Sequence, residues 1–296
     1  MRTEKRLTQL YKQAKVIPYD NQSKFVIMSD CHRGTGNWSD NFLANQNLFF
    51  AALQHYYSGG FTYIELGDGD ELWENRDFAN ILQVHSDAFW IMEKFYQEKR
   101  FYMLYGNHDI VKRSRKYVDK NMRQYYCDST KKYCPLFEDL VVHEGLILEN
   151  QDTYHTLFLV HGHQGDVIND ELWPVGRFLV RYIWRRFELL GVKDPSVSDI
   201  NPKKKNLIET QLSKWSREHN QLIIAGHTHR AVFPGVNDAK YFNDGSCVHP
   251  RCITALEIVN NSISLVKWSV LTRQDGSLYV GKTVLEGPVE LQQYFQ

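Results

Sequence analysis

The fold is decided by the stretch FTYIELGDGDEL at residues 61–72, in which a short apolar run ends in glycines and acidic residues. Such a run is typical of a buried strand, and the glycine marks its end. Two more runs have this form: KFVIM at 24–28 stops at Ser29-Asp30, and FYMLY at 101–105 stops at Gly106-Asn107. The segments between these runs, 40–57 and 77–99, have helical spacing. Strand and helix therefore alternate, which predicts an α/β fold with parallel strands.

The rest of the sequence predicts a single domain over residues 1–296 with a helical insertion. Residues 2–16 have the pattern of a charged helix that ends before Pro18, and residues 166–219 are mainly helical and interrupt the strand pattern. Strand character occurs at 140–148, 154–160 and 222–225, and over most of the chain from there to about residue 285. One α/β domain with an inserted helical segment fits this order better than two independent domains.

Five apolar runs each end in a small polar cluster. The clusters are Asp30-Cys31-His32, Gly67-Asp68-Gly69-Asp70-Glu71, Gly106-Asn107-His108-Asp109, His161-Gly162-His163 and Gly226-His227-Thr228-His229. In α/β sheets, ligands bind beyond the carboxyl ends of the strands. If the five strands lie side by side, the clusters converge at one edge of the sheet.

The side chains in these clusters are suited to metal binding. Imidazole and carboxylate together suit manganese, iron, cobalt, nickel and zinc. Asp30 and His32 are two residues apart, as are His227 and His229, so the members of each pair can point the same way, while Cys31 points elsewhere as a packing thiol. About seven candidate ligands exceed one tetrahedral site, which suggests two metals that share a carboxylate.

Charge and cysteine content argue against several classes of protein. The 35 basic and 35 acidic residues give a net charge of zero, whereas dedicated nucleic-acid binders carry a basic excess, so we expect no stable nucleic-acid partner. Five cysteines without a short repeated spacing argue against a disulfide framework or a cysteine-ligated zinc site. Residues 1–20 show no apolar signal segment, and no run of ~18 apolar residues occurs. We therefore expect a cytoplasmic protein.

Taken in order, the five clusters resemble the motifs of the calcineurin-like metallophosphoesterases, over residues 25–245. The resemblance implies a four-layer α/β/β/α sandwich of two mixed sheets with an inserted helical lid. It also implies two divalent metal ions, with manganese expected and iron, zinc, nickel or cobalt as alternatives. The implied ligands are Asp30, His32 and His229 for one metal, Asn107, His161 and His227 for the other, and Asp68 as the bridge. His161 is preferred because it directly follows its strand, but His163 remains an alternative.

The same resemblance implies a hydrolytic mechanism. A hydroxide that bridges two cations is a nucleophile at neutral pH and would attack phosphorus in line. His108, which follows Asn107, resembles the histidine of the family that is not a metal ligand, and it would protonate the leaving oxygen. Glu71 lies three residues after Asp68, where the family has an acidic residue, and would orient His108 and keep it charged.

One branch of the family is more similar than the others. The second motif, ELGDGDELWE at 65–74, resembles that of the UDP-2,3-diacylglucosamine pyrophosphohydrolases, which also carry a helical insertion between the fourth and fifth motifs. The chain departs from that branch at His108, where the branch has arginine, and at His161-Gly162-His163, where it has His-Gly-Asp. We therefore predict a more general activity: hydrolysis of a phosphomonoester, phosphodiester or diphosphate of a small or lipid-linked substrate under a helical lid.

The insertion carries three arginines at helical spacing, Arg177, Arg181 and Arg185. Residues at i, i+4 and i+8 share one face of a helix, and guanidinium groups bind phosphate through two parallel hydrogen bonds. We predict that they contact a substrate phosphate above the metals. Two alternatives remain: a solvated basic face, or a basic amphipathic helix in peripheral contact with a membrane or lipid substrate.

Two other functions fit the same motifs. One is a nuclease or cyclic-nucleotide phosphodiesterase, and the other is a non-catalytic metal-binding scaffold. The neutral charge disfavours a long nucleic-acid track, which requires many phosphate contacts. A scaffold is expected to lose ligands or the acid, whereas the full set with His108 is present here. The sequence therefore favours an enzyme.

Overall fold

Two β-sheets pack face to face, and helices cover their outer sides. The computed structural model describes residues 2–127, 131–184 and 202–296. The strands are β1 Lys15–Tyr19, β2 Lys24–Met28, β3 Thr62–Leu66, β4 Phe101–Leu104, β5 Gln124–Cys127, β6 Lys132–Pro135, β7 Val142–His143, β8 Gly145–Asn150, β9 Thr156–Val160, β10 Leu222–Ala225, β11 Tyr241–Asn243, β12 Cys252–Val259, β13 Ser262–Thr272 and β14 Leu278–Glu290.

The helices lie between and around these strands. The α-helices are α1 Arg2–Gln13, α2 Gln46–Ser58, α3 Phe78–Val84, α4 Ser86–Gln97, α5 Arg115–Asn121, α6 Trp173–Leu179 and α7 Pro202–His219. Short 3₁₀ segments occur at Leu43–Asn45, Ile110–Arg113 and Leu291–Phe295, and π-helical turns at Val167–Glu171 and Val180–Trp184.

Both large sheets are mixed. Across the described ranges, the larger sheet has the order β14-β13-β12-β2-β3-β4-β7, in which β2, β3, β4 and β7 are parallel and β12 to β14 antiparallel. The smaller sheet has the order β1-β8-β9-β10-β11, with one antiparallel pair, β8 and β9. A separate hairpin joins β5 to β6.

Successive side chains along each strand point to opposite faces of the sheet, and this alternation produces the layers of the sandwich. In β2, Ile27 faces the smaller sheet and packs in a core with Leu159 and Ile224, whereas Val26 and Met28 face the helices α2 and α4. On the outer side of the smaller sheet, α1 and α7 cover a third core that is centred on Trp215. The predicted four-layer sandwich of two mixed sheets is therefore confirmed.

Two local predictions were wrong, and the condition that the five motif strands lie side by side is not met. The segment 77–99 is two helices, because His85 leaves the helical conformation and its Nε2 lies 2.9 Å from Oδ2 of Asp40. The first helix ends at Gln13, and Pro18 lies in β1, an edge strand, where a missing N–H is tolerated. The five motif strands do not all lie side by side: β2, β3 and β4 are neighbours in the larger sheet, and β9 and β10 in the smaller one.

The helical insertion leaves the sandwich after β9 and returns at β10. Its described parts are residues 166–184 and 202–219, which contain α6, α7 and both π-helical turns. Residues 185–201, and Arg185 with them, lie outside the described residues. Among the residues described, no helix is long and apolar enough to cross a membrane.

Candidate metal and active site

The polar clusters meet where the carboxyl ends of the two sheets adjoin. Within the larger sheet, the backbone N–H of His32 donates to the carbonyl of Asp68 (2.9 Å), which continues the β2–β3 pairing into the clusters. Between the sheets, the N–H of His227 donates to Oδ2 of Asp30 (2.8 Å), and Nδ1 of His161 donates to the carbonyl of Leu66 (2.9 Å). These bonds explain how side chains from two sheets share one site.

Asp30, His32 and His229 form the first group. Oδ1 of Asp30 lies 3.0 Å from Nε2 of His229 and 3.6 Å from Nε2 of His32, and the two Nε2 atoms are 3.2 Å apart. All three side chains are buried. Three ligand atoms this close together can hold one divalent cation.

Asp68, His161 and His227 form the second group of buried candidate ligands. Oδ2 of Asp68 lies 2.9 Å from Nε2 of His161. The same oxygen is 3.9 Å from Nε2 of His32, and Nε2 of His161 is 3.9 Å from Oδ1 of Asp30. The two groups are therefore direct neighbours, and Asp68 is placed to contribute to both.

Asn107 precedes His108, whose backbone N–H donates to Oδ1 of Asp68 in the second group (2.7 Å), and Asn107 is almost fully buried. Its Oδ1 atom has no hydrogen-bond partner among the described residues. A buried amide oxygen without a partner costs about 1–3 kcal/mol, and cation binding would remove that cost. The donor set of carboxylate, imidazole and amide oxygen thus fits divalent metal ions, and Cys31 contributes nothing because it packs in the core between α2 and the larger sheet.

Strained backbone brings the ligands together. Positive φ angles between 47° and 66° occur at five candidate ligands: Asp30, His32, Asp68, His227 and His229. Such angles are uncommon outside glycine and cost on the order of 1–3 kcal/mol each, and they concentrate at functional sites. The simple alternation predicted for Asp30 and His32 is therefore wrong in its backbone geometry, although both side chains reach the same group.

Electrostatics in the groups favour ionised carboxylates. Burial by itself would raise the pKa of Asp30, but His229 and His161 lower it well below its ordinary value. Burial lowers the pKa of His161, but the carboxylates of Asp68 and Asp30 outweigh burial and raise that pKa to about 9. The carboxylates thus carry negative charge near neutral pH, as cation binding requires.

His108 stands at the rim of both groups. Its Nδ1 lies 2.7 Å from Oε2 of Glu71, and the same oxygen lies 3.0 Å from Nδ1 of His32. Burial lowers the pKa of His108, but the carboxylates of Glu71 and Asp68 outweigh it and raise that pKa above its ordinary value. For Glu71, burial is outweighed by His108 and His32, which lower its pKa to about 2. The pair is therefore a carboxylate that faces an imidazole with a strong tendency to be protonated.

The structure places His161, and not His163, in the second group. His163 is buried beside it, with the ring centroids 5.5 Å apart. Burial and the neighbouring His161 lower the pKa of His163 to about 4. The residue that directly follows β9 is thus the one that contacts Asp68.

Ser29 and Asp244 support Asp30 and were missed in the sequence. The hydroxyl of Ser29 bonds both Oδ2 of Asp30 and Oδ1 of Asp244, the latter at 2.8 Å. Burial, together with the charge of Asp30, raises the pKa of Asp244 well above its ordinary value. A signal was present, because the short apolar pair Tyr241-Phe242 precedes a polar cluster, as in the five motifs.

A buried ion-pair network lies beneath the ligand loops. Arg33 donates to Glu65 through both terminal nitrogens (2.8 and 2.9 Å) and to Asp70 through Nε (2.7 Å). Lys112 pairs with Asp70 and with Asp109 (2.7 Å). Asp109 also accepts the backbone N–H groups of Gly106 and Gly69, so the network fixes the loops that carry Asn107 and Asp68.

Two arginines of the insertion, Arg177 and Arg181, contact protein groups. The guanidinium of Arg177 stacks on the indole of Trp173, 4.7 Å from its centroid. Arg181 donates through Nε to the carbonyl of Trp73 (2.8 Å) and through Nη2 to that of Leu72 (2.7 Å). The two arginines therefore have different partners, and their contact with a substrate phosphate stays a prediction, as does that of Arg185.

Similarity to known proteins is found among solved structures. No protein-family model matches the sequence, and no curated protein matches it. The crystal structure of Chaetomium thermophilum Vps29 is similar to this chain over 88% of this chain and 96% of Vps29, with 10% sequence identity and a TM-score of 0.40.

Proposed function

We propose that this chain is a dinuclear-metal-dependent phosphohydrolase of the calcineurin-like superfamily. The observation that carries the proposal is the contact between the two ligand groups, in which Asp68 lies 2.9 Å from His161 and 3.9 Å from His32. Two adjacent cation sites are the usual apparatus for displacement at phosphorus. Asp30, His32 and His229 would hold one ion, and Asn107, His161 and His227 the other, with Asp68 between them.

Divalent cations bound at these residues would neutralise the phosphoryl oxygens and supply an activated water. The protein's own contribution to bond cleavage is assigned to His108. Its Nδ1 faces Glu71, so Nε2 is the nitrogen available to donate a proton to the leaving oxygen. Such general-acid catalysis contributes about 10²–10⁴-fold.

A screen of metals against substrates tests the proposal. Purified protein would be loaded with manganese, iron, cobalt, nickel or zinc and offered mono-, di- and cyclic phosphoesters, nucleotide diphosphate sugars and single-stranded DNA. We expect hydrolysis of at least one phosphoester or diphosphate. Turnover confined to DNA or cyclic nucleotides would favour the nuclease or phosphodiesterase alternative, and bound metal without any turnover would favour the scaffold.

His108→Ala separates metal binding from catalysis. The variant should keep its metal content, because the two proposed ligand groups do not include His108, whose cluster with His32 and Glu71 we assign to proton transfer. It should lose about 10²–10⁴-fold in kcat. The matched control is His219→Ala, at the exposed end of α7. A kcat close to wild type in His108→Ala would contradict the assigned role.

Apolar side chains on the insertion support a lipid-linked substrate or peripheral membrane contact. Five large apolar residues are exposed in the part of the insertion at residues 172–182: Leu172, Val175, Phe178, Leu179 and Tyr182. Exposed apolar side chains that cluster on one segment commonly mark contact surfaces. Co-sedimentation with anionic phospholipid vesicles, compared between wild type and Phe178→Ser, tests this point. If wild type and Phe178→Ser stay in the supernatant to the same extent, the membrane contact is removed from the proposal.

A further inference from the structure

The loop Leu72–Arg76 connects the candidate general acid to the helical insertion. On the site side, the indole of Trp73 stacks on the imidazole of His108, with ring centroids 4.7 Å apart and planes inclined by 23°. Trp73 is buried, and its backbone N–H donates to Oε1 of Glu71 (3.2 Å). His32 meets His108 edge-on at 4.6 Å. The imidazole is thus held on one face by Trp73 and at Nδ1 by Glu71.

On the other side, the insertion binds the backbone of this loop. Arg181 donates to the carbonyls of Leu72 (2.7 Å), Trp73 (2.8 Å) and Asn75 (3.3 Å). Such charge-assisted bonds from one planar guanidinium are stronger and more directional than neutral ones. The next residue adds a second contact, because the hydroxyl of Tyr182 bonds the guanidinium of Arg76, which also lies over the tyrosine ring.

We propose that Arg181 is a positioning residue for the general acid, and that it acts through Trp73. Because Arg181 binds three backbone carbonyls of this loop, it holds the indole of Trp73 against the imidazole of His108. It thereby sets the direction in which Nε2 of His108 points. The insertion and the acid are then coupled, and the site is complete only when the insertion rests on this loop. This inference rests on the proposed function, because it assigns a partner to the acid of that reaction.

The step that depends on this geometry is the breaking of the bond between phosphorus and the leaving oxygen. Water supplies the new oxygen on phosphorus, the leaving oxygen keeps the bonding electron pair, and His108 gives that oxygen a proton. The proton that water releases restores the imidazolium, so atoms and charge balance. A misplacement of about 1 Å can cost on the order of 10²-fold in rate. The loss should be largest where the leaving oxygen is a strong base and needs the proton.

Two aryl phosphates make this dependence measurable. Phenyl phosphate has a strongly basic leaving oxygen, whereas 4-nitrophenyl phosphate leaves readily without a proton. With manganese-loaded protein, Arg181→Met should lower kcat for phenyl phosphate by about 10–100-fold and kcat for 4-nitrophenyl phosphate by less than about 3-fold. Arg181→Lys, which keeps a charged donor, should recover part of the loss, and Trp73→Leu should behave as Arg181→Met does. The matched control is Arg123→Met, since Arg123 is exposed and pairs with Glu138 on the surface.

A spectroscopic measurement tests the coupling without activity. Stacking on the indole face should shift the ring protons of His108 upfield in the NMR spectrum of zinc-loaded protein, with assignment by comparison with His108→Ala. We expect Arg181→Met to reduce that shift and Arg123→Met to leave it unchanged. An unchanged shift in Arg181→Met would overturn the proposal, as would equal losses of kcat for both aryl phosphates. If wild type hydrolyses no substrate of the metal screen with any bound metal, the proposed function and the catalytic part of the inference both fail, and the NMR shift still decides whether Arg181 holds Trp73.

Discussion

Oε2 of Glu71 lies 2.7 Å from Nδ1 of His108. The same oxygen reaches Nδ1 of His32 at 3.0 Å, so one carboxylate orients both the candidate general acid and a candidate metal ligand. Carboxylates in this position fix the tautomer and direction of an imidazole, and their loss typically costs 10–100-fold in metal affinity or activity. Glu71 therefore links the candidate acid to the candidate metal site.

Glu71→Gln should weaken both functions of that side chain. We expect kcat to fall by about 10–100-fold and metal affinity to fall in the same variant, because an amide keeps the shape but not the charge that orients the imidazoles. Steady-state kinetics and a metal titration measure the two effects. Glu138→Gln, an exposed surface change, serves as the control. Wild-type kcat together with wild-type metal affinity would show that Glu71 orients neither histidine.

Much of the site was predictable because its chemistry follows strand ends. The clusters around Asp68 and Asn107 come directly after apolar runs, and local sequence suffices to recognise them. The contribution of Trp73 was not predictable, because its stacking on His108 depends on how a loop folds back in space. The local sequence pattern also could not predict that the motif strands divide between two sheets, because buried parallel strands have the same apolar sequence pattern in either sheet.

The network beneath the site contains a lysine that is almost fully buried. Lys112 lies between Asp70 and Asp109, and burial, which alone would lower its pKa, is outweighed by these carboxylates, which raise it. Lys112→Met would leave buried carboxylates without their cation. Removing one partner of a buried pair costs about 3–5 kcal/mol.

Urea unfolding of Lys112→Met should show this loss of stability at neutral pH. Lys116→Met, on α5, provides a lysine-to-methionine control at an exposed position. We expect the double variant Lys112→Met, Asp109→Asn to recover part of the loss, because it removes one of the carboxylates left without a cation. A loss below about 1 kcal/mol in the single variant would contradict a charged Lys112 that holds the network together.

Asp40 gives the fold a defined acid sensitivity away from the metal groups. Burial opposes ionisation of Asp40, but hydrogen bonds from His85 and from the backbone N–H of Gly36 outweigh it and lower its pKa below the ordinary 3.8. The folded state therefore binds this proton less readily than the unfolded state. The stabilisation is complete above about pH 4 and is lost as the pH falls through the folded-state pKa.

Asp40→Asn should thus destabilise the protein by about 1–3 kcal/mol at pH 7, since bonds to a charged acceptor are lost. The difference in the free energy of unfolding between Asp40→Asn and wild type should become smaller as the pH falls below about 4. Urea unfolding at a series of pH values measures both, with the exposed Asp152→Asn as control. A difference that stays constant down to pH 2 would show that the charge of Asp40 contributes nothing.

Gly106 leaves room for the carboxylate of Asp68, the proposed bridge, because it has no side chain. A Cβ atom at this position would lie 2.1 Å from Oδ1 of Asp68, far inside van der Waals contact. In Gly106→Ala the carboxylate must therefore move, and both ligand groups would lose the residue that we propose they share. For wild type, manganese at about 100 times its Kd should stabilise the folded state by about 2.7 kcal/mol, a rise in Tm of about 4 °C. Gly106→Ala should lose most of this rise.

Gly276→Ala is the matched control, because its Cβ would meet nothing within 4 Å, while its φ of 83° still imposes backbone strain. That control should unfold at a lower temperature yet keep the full manganese response. A full response in Gly106→Ala would mean that Asp68 is not a shared ligand of the two ions.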